Sequence, residues 1–157
     1  MNYAKINSMD IANGDGIRVS IFFSGCVHHC KNCFNRELWD FDYGEHFTSE
    51  TIFTIKNLLS PRYIRGLSIL GGEPFNQDAE KFFEFLKEIK TTYPEKDIWV
   101  WTGYSFKDVE KADALEYIDY LIDGRFIEEK KDLTLRFRGS SNQHIWHKIN
   151  GVWTKEE

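Results

Sequence analysis

The apolar positions of this chain fall into four short runs, each followed at once by turn-forming residues. The runs are Arg18–Phe23, Gly66–Leu70, Asp97–Trp101 and Tyr120–Ile122. Their length and β-branched or aromatic content predict strands. Between them the spacing turns helical. Thr48, Ser49, Glu50 and Thr51 offer an N-cap for a stretch reaching about Leu59, stopped by Pro61. Asn76 is placed to cap a helix running to about Thr92, with Phe82, Phe83, Leu86 and Ile89 on one face. Ser105 and Asp108 read as a capping box for a short helix. Asn13 to Gly16 is a turn before the first run, and Asn150-Gly151 between Ile149 and Val152 signals a hairpin.

Strands alternating with helices imply parallel strands joined by right-handed crossovers, whose carboxyl ends are where ligands collect. Here the first run leads into a cysteine loop and the second into Gly71-Gly72-Glu73-Pro74. The third leads into Thr102-Gly103 and the fourth into Asp123-Gly124. All four strand ends therefore converge on one expected site.

Composition narrows the setting. A chain of 157 residues without repeats or linkers suits a single domain over residues 1–157. With 41% hydrophobic and 16% aromatic residues it can bury a core and is not a disordered segment. A net charge of −5 argues against a general nucleic-acid binder. The absence of a basic-then-apolar leader, and of any run of about eighteen apolar residues, leads to the expectation of a cytoplasmic protein with no membrane role.

The three cysteines, Cys26, Cys30 and Cys33, are the only ones in the chain and lie within eight residues. An odd, tight cluster of this kind points to metal or redox chemistry in a reducing compartment. Three thiolates on one loop can hold three corners of a cubic iron–sulfur cluster and leave the fourth iron open to a small molecule. The competing reading is a zinc site completed by His28 or His29, in a non-catalytic interaction module.

The spacing Cys-x3-Cys-x2-Cys after one strand, with Gly-Gly-Glu-Pro after the next, resembles the radical S-adenosylmethionine (SAM) superfamily. Four further blocks, residues 13–18, 99–104, 123–126 and 138–143, resemble the activating proteins of anaerobic ribonucleoside-triphosphate reductases. The resemblance implies an α/β fold, a partial (β/α) barrel with mostly parallel strands and a C-terminal hairpin. It implies one [4Fe-4S] cluster on Cys26, Cys30 and Cys33. It also implies a SAM pocket in which Gly71, Gly72 and Glu73 receive the amino end. Where the superfamily often has an aromatic residue this chain has Asn32, so that Phe34 supplies the aromatic surface beside Cys33. Asp15 replaces the family's usual proline. Thr102 and Asp123 stand either as contacts to ribose, amine or a small cation, or as ordinary turn formers. His28 and His29 are expected to be loop residues. Trp99 and Trp101 share one strand face and suit core packing. Arg138 stands either toward a partner or a SAM carboxylate, or as a solvated side chain.

The implied activity is reductive cleavage of SAM to a 5′-deoxyadenosyl radical that abstracts a hydrogen from a glycine of the reductase. With no cysteine left for a second cluster, the electron is expected from an external reductant such as flavodoxin. A closed eight-stranded barrel takes about 250 residues, so this chain can form only part of one, and a protein substrate is suited to cover the open flank. The nearest enzymatic alternative is a small radical SAM enzyme of the deazapurine-synthesis type.

Overall fold

The computed structural model describes residues 1–156. Its strands are β1 (Asn2–Asp10), β2 (Ile17–Ser24), β3 (Glu45–His46), β4 (Ile64–Gly71), β5 (Asp97–Trp101), β6 (Tyr120–Asp123), β7 (His144–Ile149) and β8 (Val152–Lys155). The helices are α1 (Ser49–Leu59), α2 (Ala79–Thr92) and α3 (Phe106–Val109). All eight strands form one sheet in the order β3-β1-β2-β4-β5-β6-β7-β8.

Alternation along the strands decides what each face of the sheet meets. Val19, Ile21 and Phe23 of β2 point to one side with Leu67 and Ile69 of β4, Ile98 and Val100 of β5, and Leu121 of β6. There they bury against Ile55 and Leu59 of α1 and Phe82, Phe85, Leu86 and Ile89 of α2. Each such side chain removed from water contributes about 1.5–3 kcal/mol, so this layer dominates the stability of the fold. The opposite face carries Arg18, Ser20, Ser68, Trp99 and Trp101, and two loops cross it. Ser68 Oγ donates to the Asn13 carbonyl at 2.6 Å, and Trp101 Nε1 donates to the Phe137 carbonyl at 2.9 Å.

At the lower edge of β2 the Arg18 side chain is fully buried. Its Nε donates to Ser68 Oγ at 2.7 Å, Nη1 to the Asp15 carbonyl at 2.9 Å and Nη2 to the Leu67 carbonyl at 3.1 Å. Asp97 Oδ1 lies 2.6 Å from Nη2 as a charge contact. Burial works against the charge of this guanidinium and Asp97 works for it.

The four parallel strands stand where their apolar runs place them: β2 pairs with β4, β4 with β5 and β5 with β6. The expectation of a mostly parallel sheet needs correction, because the other four pairings are antiparallel. β1 turns back on β2 through a short loop with no room for a crossover. Beyond β6 the chain makes a loop excursion instead of a crossover helix and returns antiparallel as β7. The sheet remains open, with β3 and β8 as its edges.

Two helix details also differ. The cap of α2 is Asp78, whose side chain accepts from Lys81 N, because Pro74–Asn76 first form a separate 3-10 turn. Asn76 instead accepts from Val27 N at 3.0 Å and donates to the Tyr104 hydroxyl at 2.7 Å. The buried face of α2 includes Phe85, whereas Phe83 sits at its margin against Tyr117. Thr48 caps α1 and Ser105 caps α3, each in a capping box with the residue three positions on.

Candidate functional site

The carboxyl ends of β2, β4, β5 and β6 surround one open cleft of about 200 Å³. Cys26, Cys30 and Cys33 line it, as do Gly71, Gly72, Glu73 and Thr102. The structure thus gathers seven of the residues singled out by sequence. Cys26 is buried, whereas Cys30 and Cys33 are half-buried, and all three thiols are free. Burial pushes the Cys26 and Cys30 thiols up, while backbone N–H groups of His28 and His29 at Cys26, and of Phe126 at Cys30, pull the other way. Such N–H groups favour the thiolate form that a metal requires.

The glycines are set by close backbone approach. Gly71 has φ +112°, and a Cβ there would lie 2.3 Å from the Phe23 carbonyl oxygen. A Cβ on Gly72 would lie 2.5 Å from the Gly25 carbonyl oxygen and 2.7 Å from that of Leu38. The wall formed by these two residues is therefore bare backbone.

Glu73 is fully buried and all of its acceptor capacity is taken. Oε1 accepts from the Thr102 hydroxyl at 2.6 Å and from Phe75 N at 3.1 Å. Oε2 accepts from Gly103 N at 2.7 Å and faces His28 Nε2 at 3.0 Å. This carboxylate ties the cysteine loop to the ends of β4 and β5. Thr102 is likewise engaged, since its hydroxyl also accepts from Tyr104 N. Both residues shape the wall while holding one another.

Three expected contacts lie elsewhere. Asn32 (φ +58°) and Phe34 are exposed, Phe34 at 78%, and neither lines the cleft. Asp123 is buried but caps α3 through Phe106 N at 2.8 Å and holds His144 N at 3.1 Å. Its Oδ1 also faces His144 Nδ1 at 3.2 Å, and Asp123 does not line the cleft. Arg138 donates to the Gln143 carbonyl at 3.0 Å.

Among the other residues lining the cleft are Trp39, which the sequence did not single out; His28, expected as a loop residue or a zinc ligand; and Phe126 and Gln143, which lie in the blocks 123–126 and 138–143 without an expected contact. His28 is no simple loop residue. Its side chain is buried between Glu73, Gly103 and the ring of Tyr104, 4.5 Å between centroids. Position within the cysteine motif was the only available signal for it. Gln143 organises the loop after β6: its Oε1 accepts from Gly139 N and Ser140 N, and its Nε2 donates to the Gly124 carbonyl. Asn142 Nδ2 holds the Arg125 carbonyl at 2.8 Å, beside Phe126. The block at residues 138–143 therefore acts as a scaffold for the wall that carries Phe126.

Whether these residues suit a cluster can be judged from the donor set. Three soft thiols share one cleft, and two nitrogens of lining residues, His28 Nδ1 and Trp39 Nε1, are buried without partners. The indole N–H asks for an acceptor, and a sulfide-rich guest suits both it and the thiols. A single zinc ion fits less well. Among the described residues no three His, Cys, Asp or Glu side chains close on one point. His28 is engaged by Glu73, and His29 is stacked on Trp39 at 4.3 Å.

Comparison with known proteins agrees with this. A family profile described as a 4Fe-4S single cluster domain matches residues 12–146. The anaerobic ribonucleoside-triphosphate reductase-activating protein of Enterobacteria phage T4 is 41% identical over 154 residues, covering 98% of each chain. The chain belongs to the family of anaerobic ribonucleoside-triphosphate reductase-activating proteins. The activating protein of Vibrio cholerae is 40% identical over 92% of this chain and 97% of its own. That of Escherichia coli K12 is 39% identical over 94% and 99%. As a member of this activating-protein family, the chain has its three cysteines, its Gly-Gly-Glu wall and its 138–143 scaffold all inside the span matched to the 4Fe-4S domain.

Proposed function

We propose that this protein activates an anaerobic ribonucleoside-triphosphate reductase by installing a glycyl radical, using SAM at a [4Fe-4S] cluster held by Cys26, Cys30 and Cys33. The observation that carries the proposal is one cleft in which three thiols face a wall of bare glycine backbone, in a chain of this family. With both groups bound, the chemistry they supply is one-electron cleavage of the sulfonium, giving a 5′-deoxyadenosyl radical that takes a hydrogen atom from a glycine of the reductase.

The protein's own residues prepare this. Cys26, Cys30 and Cys33 hold the cluster, and the N–H groups of His28, His29 and Phe126 stabilise charge on its thiolates. Gly71 and Gly72 let the amino-acid end of SAM approach the backbone. Glu73, fastened by four donors, keeps the cysteine loop in register with that wall. The open sheet is read as a partial radical SAM barrel in which β2, β4, β5 and β6 form the parallel part, and the reductase covers its mouth. The electron comes from an external donor such as flavodoxin, because no cysteine remains for a second cluster.

The test is anaerobic reconstitution, iron and sulfide counting, and SAM cleavage with and without the reductase, followed by electron spin resonance. Four irons and four sulfides per chain, and a glycyl doublet on the reductase, are expected. A loaded protein that cleaves no SAM, or leaves no doublet, overturns the proposal.

A further inference from the structure

Two buried nitrogens at the cleft lack partners, and one of them has unambiguous chemistry. An indole N–H can only donate. Trp39 lines the cleft, and its Nε1 is shielded from solvent without an acceptor anywhere among the described residues. Leaving a donor of this kind unmatched costs about 1–3 kcal/mol; Trp99 and Trp146 also carry an unmatched Nε1, and Trp39 differs from them in lining the cleft.

The indole is also held with unusual care. Its backbone carbonyl accepts from Cys26 N at 3.3 Å, and the neighbouring Leu38 carbonyl accepts from Gly25 N at 2.8 Å, so residues 38 and 39 are laced to the start of the cysteine loop. His29, inside that loop, stacks on the indole face at 4.3 Å and 14°. To do so it adopts φ +48°, a conformation that non-glycine residues enter at a cost. The Arg36 guanidinium lies 5.1 Å from the same ring. Alanine or leucine at position 39 could fill space, but neither would keep a fixed N–H donor beside the cleft.

We infer that Trp39 is a positioning residue whose indole N–H donates a hydrogen bond to an acceptor of the bound cofactors, and that His29 fixes the plane of the ring. The inference rests on the proposed cluster-and-SAM reading of the cleft. Two acceptors share the required chemistry, a cluster sulfide and a lone pair of SAM, and the experiment separates them.

Trp39→Phe keeps an aromatic ring for His29 and removes the donor, whereas Trp39→His restores a ring N–H. Each variant and the wild type are reconstituted anaerobically and compared in three readouts. These are iron and sulfide content, the midpoint potential and spin-resonance spectrum of the reduced cluster without SAM, and the dissociation constants of SAM and S-adenosylhomocysteine. If the acceptor is on SAM, Trp39→Phe binds both adenosyl compounds about tenfold more weakly, the worth of one hydrogen bond, with the cluster spectrum unchanged. If the acceptor is a sulfide, the potential and spectrum shift before SAM is added. In either case Trp39→His recovers part of the wild-type value. Normal potential, spectrum and affinities in Trp39→Phe overturn the inference, and so does loss of iron in Phe and His variants alike, which makes Trp39 a packing residue. A wild-type protein that assembles no cluster refutes the functional reading instead, and that outcome is recognised before any variant is compared.

Discussion

At the lower edge of the parallel strands, buried Arg18 has a partner for each of its three nitrogens, and Asp10 nearby has both oxygens filled by Ala12, Asn13 and Ser20. At the upper edge, Glu73 is just as fully engaged, yet His28 Nδ1 and Trp39 Nε1 have no partner, and three thiols outside any disulfide line the same cleft. Below, the unmatched atoms are Asp97 Oδ1, held 2.6 Å from the Arg18 guanidinium as a charge contact, and Trp99 Nε1, whereas above they lie beside an open cleft. A network whose charges find partners holds a fold together, whereas unmatched groups beside an open cleft suit a bound guest.

Substitutions at the two ends should separate these roles, and the largest loss of stability belongs below. Arg18→Met strands Asp97 and Ser68 without their partner, and urea denaturation of the metal-free protein should show a loss of about 3–5 kcal/mol. Glu73→Gln turns one acceptor edge into donors that face Gly103 N and His28. A loss of about 2–3 kcal/mol is expected by the same measurement, together with poorer iron loading. A smaller change would mean that the upper network is less rigid than its contacts imply.

Gly103→Ala tests the wedge directly. The new Cβ would stand 2.5 Å from His28 Cδ2, which should push the imidazole off Glu73 and cost about 1–3 kcal/mol. A shift in the Tyr104 and Trp fluorescence of the metal-free protein would report the displacement. Asp10 offers a pH test of the lower end. Burial pushes its carboxyl up, but hydrogen bonds from Asn13, Ser20 and Ala12 outweigh this and hold it below its ordinary value. Its contribution is therefore present above the unfolded value of about 3.9 and is lost as pH falls through the folded one. Asp10→Asn should be less stable than wild type by about 1 kcal/mol at neutral pH, with the gap closing below about pH 4 in acid-unfolding curves. The smallest change in stability is expected for Cys30→Ala. The metal-free variant should match the metal-free wild type within about 0.5 kcal/mol while failing to retain iron, since its thiol serves a guest and not the fold.

The parallel strands and the convergence of their ends were legible because short apolar runs closed by glycine carry a strong local signal. β1 was not, since only Asn2 and Asp10 among its nine residues are buried and it is a strand by pairing rather than by pattern. The antiparallel return to β7 escaped notice for a related reason, as nothing local distinguishes a missing crossover helix from a long loop. Within the site, the cysteines and glycines could be named because their chemistry is tied to residue type. Asp123 and Phe34 do not line the cleft, since neither a strand-end position nor a place just after the last cysteine says which way a side chain turns. Trp39 was not singled out, and His28 was read only as a loop residue or a zinc ligand, because their surroundings come from contacts distant in sequence: Glu73 and Gly103 for His28, the cysteine loop for Trp39.

The cleft draws on residues from Phe22 to Gln143. A growing polypeptide exposes its thiols early but cannot complete the surrounding wall until Gln143 has been added. Metal delivered before that point would meet an unfinished receptacle.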